Sequence, residues 1–223
     1  MPSKSIFAIP IGLLYFLSPA PAQADQSFAD DQTWGFEIGF GGGWAPDTDY
    51  TRRLDAFGYS PDRGSHYRMS FAVEKILLPY FSLLLQTNLL DNQTWYRPSG
   101  LGNDDRFDWN SWSLDVHARA FLPTRKGRFR GYIQFGVGPT FTGSHLYTRT
   151  SADSGQVRRR EFKVSYNLAG LIGFEGMVAR HFGLFAQGGY FFAPSLENLI
   201  GNRHQSGGGV IIAGFTGRFK RNP

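Results

Sequence analysis

The sequence predicts an all-β fold: an eight-stranded antiparallel transmembrane β-barrel with its oily face turned to lipid. Three observations carry that prediction. From Thr33 to Trp44 the even positions are Trp34, Phe36, Ile38, Phe40, Gly42 and Trp44, and the odd ones are Gly35, Glu37, Gly39, Gly41 and Gly43. A period of two is a strand with two unlike faces, and here the apolar face ends in Trp at both tips, as rings do at two membrane interfaces. Further segments alternate in the same way. The connections between them run long, then short, in strict rotation, which is how an even-stranded barrel with short periplasmic turns and long external loops is wired.

Taken in order, the second strand is expected at about Ser65–Lys75. It sets Tyr67, Met69, Phe71 and Val73 against His66, Arg68, Ser70, Ala72 and Glu74. A turn at Leu77-Leu78-Pro79-Tyr80 leads to the third, Phe81–Leu90, with Leu83, Leu85 and Leu89 opposed to Ser82, Gln86 and Asn88. The fourth, Asn110–Phe121, opposes Trp112, Leu114 and Val116 to Ser113, Asp115, His117 and Arg119. A basic turn from Arg125 to Arg130 would face headgroups. The fifth, Gly131–Thr142, shows Ile133, Phe135, Val137 and Phe141 outward; Pro139 removes a ladder donor, so a bulge or local widening is expected there. The sixth, Phe162–Phe174, turns Lys163, Ser165 and Asn167 inward. The seventh, Gly183–Phe192, is apolar in part on both faces, with Phe185 and Phe191 inward. The eighth, Gly208–Phe219, turns Arg218 inward. Long polar connections are expected at 45–64, 91–109, 143–161 and 193–207. A ten-stranded barrel would need a further hairpin inside one of these.

The N-terminal segment reads as a signal peptide, 1–24: Lys4, an apolar stretch from Ile6 to Phe16, and Ala22-Gln23-Ala24 as a cleavage site. That leaves one barrel domain over 25–223. The most apolar later run, Ile76 to Leu90, is broken by Pro79, Ser82, Gln86 and Asn88 and falls short of the roughly 20 residues of a spanning helix. With no cysteine, no disulfide framework holds this chain. A net charge of +5 is too small to indicate nucleic acid. The glycines of 39–43 complete no dinucleotide fingerprint, no metal-ligand spacing occurs, and no cofactor is expected.

Two groups of residues invite a function. The inward faces bring Glu37, His66, Arg68, Glu74, Asp115, His117, Arg119, Lys163 and Arg218 into one narrow lumen. There charges must be paired or hydrated, either as a polar plug that locks the barrel or as a charged pore. The third external connection carries Arg149, Arg158, Arg159 and Arg160, whose guanidinium forks suit phosphate; lipopolysaccharide and the lipids of an outer membrane are the partners this favours.

The alternating segments, the leader and the final strand Gly209–Phe219 resemble the small outer-membrane barrels of the OmpA/OmpX type, without a peptidoglycan-binding domain. That resemblance implies an outer-membrane location and a monomer. It also implies recognition of the last strand, with its aromatic Phe219, by the barrel-assembly machinery; here Lys220-Arg221-Asn222-Pro223 follow that aromatic. Its implied role is structural or interactional: membrane integrity, lipopolysaccharide contact, and surface loops for adhesion or resistance. A narrow pore for small solutes is the alternative. A lipid A-modifying hydrolase is a third reading: His204-Gln205-Ser206 offers a His-x-Ser pair, but without a following acidic residue.

Overall fold

A computed structural model describes residues 34–44, 48–61, 67–97, 105–122, 129–149, 156–194 and 204–219. The predicted leader, His66, the turn residues 125–128 and the C-terminal tetrapeptide lie outside this set. Eight long strands form the wall: β1 (Trp34–Trp44), β3 (Tyr67–Leu78), β4 (Phe81–Arg97), β5 (Asp105–Phe121), β6 (Phe129–Arg149), β7 (Gln156–Met177), β8 (Phe182–Phe192) and β9 (Gly208–Phe219). A two-residue strand, β2 (Ser60–Pro61), adds to the upper part of β4. Every pairing is antiparallel. Neighbours along the chain pair from β3 to β9, and β9 returns to β1, which pairs β3, so the wall closes on itself. The eight-stranded count holds, and no further wall hairpin occurs among the described residues.

The facing follows the alternation. Leu83, Leu85, Val116, Phe135, Ile172 and Ile211 are exposed, while Ser82, Gln86, Asp115, Gln134, Asn167 and Thr216 are buried. A water-soluble barrel would reverse this. Bands of aromatic residues bound the exposed apolar surface. Trp44, Tyr67, Trp112, Phe162 and Phe192 mark the end where long hairpins emerge; Trp34, Phe129, Phe174 and Phe219 mark the end of the short turns. Across β5, β6 and β7, Trp112 stacks on Phe141 at 4.4 Å and Phe141 on Phe162 at 6.4 Å.

The structure corrects the strand limits. Four strands run well past their expected ends, and β6 and β7 reach 21 and 22 residues, about twice the 9–11 that cross a membrane. Much of 91–109 and 143–161 is therefore paired sheet rather than loop, rising beyond the aromatic band. At Leu89/Asp91 a register shift keeps the inner face inward as β4 climbs. Of the bulge or local widening expected at Pro139, no bulge forms, since β6 keeps its register with β5 on either side, but the ladder is interrupted there: the pairs at 114–115 with 138–139 drop out, while Pro139 stays opposite Tyr166 of β7.

The first connection holds a helix, α1 (Thr48–Ala56). Tyr50 and Leu54, one turn apart, share a face. They pack with Tyr59 against Trp95, Phe107 and Trp109, the inner face of the raised sheet. Gly58, at φ 79°, ends the helix in a left-handed turn, its N–H bonded to Asp55 O at 2.9 Å.

Candidate functional site

The lumen is filled, and its filling changes character with height. Near the short turns, β1, β3, β5, β6, β7 and β9 each send one charged side chain inward: Glu37, Glu74, Arg119, Arg130, Glu175 and Arg218, all buried. Arg119 grips Glu37 through both terminal nitrogens, Nη2 to Oε2 at 2.8 Å. Arg218 bridges Glu74 and Glu175, and Arg130 Nε donates to the other oxygen of Glu175. Ser82 of β4 donates to Glu74. Three carboxylates face three guanidinium groups, so the layer is neutral and each charge has a partner of opposite sign, which buried ions require. Gly35 makes it possible: a Cβ there would stand 2.5 Å from Arg218 Nη1. Aromatic rings back the layer, with Arg130 3.5 Å from the Phe121 centroid and Arg119 4.1 Å from that of Tyr132.

Above it lies a stratum of amides and hydroxyls: Gln86, Asn88, Ser113, Asp115, His117 and Gln134. Beside and above that, Leu90, Leu171, Phe185, Phe191, Val210 and Ile212 form a buried apolar cluster inside the barrel. At the top, α1 and its aromatic partners cover the raised sheet. Tyr59 is partly withdrawn from water there, which lifts its phenol above the ordinary range, while Arg97 lies 4.9 Å over its ring.

The expected lumenal residues divide by height. Glu37, Glu74, Arg119 and Arg218 meet in the ionic layer, and Asp115 and His117 sit in the amide stratum. Arg68 is buried at the hairpin end, opposite Gly41 with its guanidinium reaching Gly43, and half-buried Lys163 stands opposite Thr142, far from the layer. His66 is outside the described residues. Two members of the layer were not foreseen. Arg130, expected in a headgroup-facing turn, points into the barrel, and Glu175 lies one residue past the expected end of its strand. Parity alone places them: Arg130 shares the face of Tyr132 and Gln134, and Glu175 that of Ala169 and Leu171.

The arginines expected on a loop are on paired strands instead. Arg160 lies opposite His145, Arg159 opposite Leu146, Arg158 opposite Tyr147, and Arg149 opposite Gln156. They do not form one patch. Arg160 follows the outward parity of exposed Phe162 and Val164; Arg159 is on the other face and pairs with Glu161 at 2.9 Å. The side chains of Arg149 and Arg158 fall outside the described set. Arg106 of β5, which the sequence did not single out, is 5.9 Å over Tyr147 and bonded to Asp108 at 2.7 Å. Ser206 is buried with its hydroxyl 3.4 Å from Thr142 Oγ1, whereas His204 is exposed. Among the described residues no group of three acidic or imidazole side chains is placed to hold a metal.

No protein-family model matches the chain, and no curated protein matches it in sequence. Solved structures do resemble it in shape, and they are small outer-membrane barrels. The outer membrane protein OprG from Pseudomonas aeruginosa is 14% identical, with 86% of this chain and 98% of that one covered and a TM-score of 0.49. Neisserial surface protein A is 12% identical over 83% and 96% of the two chains, at 0.47. Ail, the attachment invasion locus protein of Yersinia pestis, solved with the heparin analogue sucrose octasulfate, is 10% identical over 85% and 100%, at 0.43.

Proposed function

We propose that this protein is an outer-membrane barrel with a structural and interactional role: it anchors itself in lipopolysaccharide and holds its raised hairpins above the surface. One observation carries this reading. The stacked row Trp112–Phe141–Phe162 marks an interface across β5, β6 and β7. On the same lipid-facing parity, beyond that row, stand Arg106 and Arg160. Trp and Tyr settle at headgroup depth, so in this reading the guanidinium groups farther out on the same face are offered to lipopolysaccharide phosphates, which their planar forks suit. The ion-pair layer, the apolar cluster and α1 fill the lumen at three heights, which supports a plug over a pore. Export through a cleaved leader and assembly through the Phe219 strand belong to the same reading; Phe219 faces outward and stacks on Phe36 at 5.6 Å.

The test compares vesicles of phosphatidylcholine alone with vesicles containing lipopolysaccharide. The protein should favour the second several-fold at low salt, and Arg106→Gln with Arg160→Gln should remove that preference. Salt should weaken it too, since charges are screened over about 10 Å at 0.1 M. Equal binding to both vesicles, or a preference that survives both substitutions, would contradict the proposal. Release of fatty acid from lipid A on incubation would instead favour the hydrolase.

A further inference from the structure

The amide stratum runs in one direction, set from both ends. Arg119 Nε can only donate, and it lies 2.8 Å from Gln134 Oε1. Gln134 must therefore present Nε2 on its other side, 2.9 Å from Gln86 Oε1. Gln86 Nε2 then donates to Asn88 Oδ1 at 2.7 Å, and Asn88 Nδ2 to Asp115 Oδ2 at 2.9 Å. Turning any one amide over would set donor against donor or acceptor against acceptor.

The same logic fixes a histidine. Gln134 Nε2 is 3.0 Å from His117 Nδ1. Its role as donor makes Nδ1 the acceptor, so the ring hydrogen sits on Nε2. That Nε2 is buried, has no hydrogen-bond partner among the described residues, and is 3.7 Å from Asp115 Oδ2, too long for a direct bond. Asp115 Oδ1, Thr140 Oγ1 and both amide atoms of Asn167 are likewise buried without a protein partner. All lie around one stretch of β6. Gly136 is opposite His117, and Gly138 is opposite Asn167. A Cβ on Gly138 would come within 2.7 Å of Asp115 Oδ1, and one on Gly136 within 2.2 Å of the His117 ring. The bare face of β6 lets both side chains lie over it, and here the ladder to β5 is interrupted.

We propose that these groups form an internal binding site for water, between His117 and Asp115 and edged by Thr140 and Asn167. The occupant must accept the His117 Nε2 hydrogen and donate to Asp115 Oδ1. A metal cation cannot accept that hydrogen, and an anion would meet the Asp115 carboxyl group. Water does both, and buried waters ordinarily have two to four polar partners. Through the amide relay this site is tied to Arg119 and the ionic layer.

The experiment is nitrogen NMR of the full chain, labelled at histidine and refolded in lipid nanodiscs, with His117 identified by sequential backbone assignment. The wild type should show the neutral Nε2–H form, with magnetisation transferred from water to that hydrogen. In Gln134→Glu, which cannot donate to Nδ1, the hydrogen should appear on Nδ1. An Nδ1–H form in the wild type, or an Nε2–H form with no transfer from water, would overturn the proposal. The wild-type spectrum decides it even where the variant fails to fold.

Discussion

Glu175 accepts from two arginines on two other strands, Arg130 of β6 and Arg218 of β9, so its loss leaves two buried cations short of charge. Breaking one partner of a buried ion network typically costs about 3–5 kcal/mol. Glu175→Gln should lower the stability of the refolded barrel by that amount, read as a shift in urea midpoint; a change under about 1 kcal/mol would mean that water already reaches the layer. On the outer face, Leu85→Arg should cost about 2–4 kcal/mol for a mid-membrane position, measured by the same unfolding. Parity made Glu37, Glu74, Arg119 and Arg218 readable, because each sits inside an alternating run. Glu175 and Arg130 escaped because Phe174 and Gly131 were taken as strand ends, and an aromatic at an interface does not by itself stop a strand.

At the scale of elements, the part that was legible is the part bounded by the two aromatic bands. There the outside must be apolar and the inside is mixed, so alternation is strong. Past the aromatic band both faces of β6 and β7 carry polar groups, Ser144, His145, Arg160 and Glu161 among them, and the contrast vanishes. These extensions are held by backbone pairing, whereas α1 packs on the inner face of the β4 and β5 extensions, with Leu146 of β6 against it. The helix offers little pattern: in nine residues only Tyr50 and Leu54 mark a face. Tyr50 lies 6.3–6.5 Å from the rings of Trp95, Phe107 and Trp109. Tyr50→Ala should therefore undock α1 without opening the wall. Hydrogen exchange should lose protection over 48–58 and keep it in β1, β8 and β9; protection lost throughout would make the helix part of the barrel's own stability.

For the molecule as a whole, eight strands, antiparallel closure and the assignment of inside and outside followed from alternation and connection length. How the lumen is filled did not, because the same inward charges suit a plug or a pore until their partners are known. On the plug reading, ion pairs, an apolar cluster and a capping helix lie in series along the lumen, so bilayers holding the refolded protein should show no unitary conductance, and steady openings would restore the pore. The central claim, a closed barrel with its apolar face in lipid, is tested most directly by gel mobility of the membrane-extracted protein, unheated against boiled. The account predicts a heat-dependent shift, because a closed barrel wall resists detergent until heated. A single unchanged band, from protein recovered in the soluble fraction, would contradict it and reverse the assignment of inside and outside.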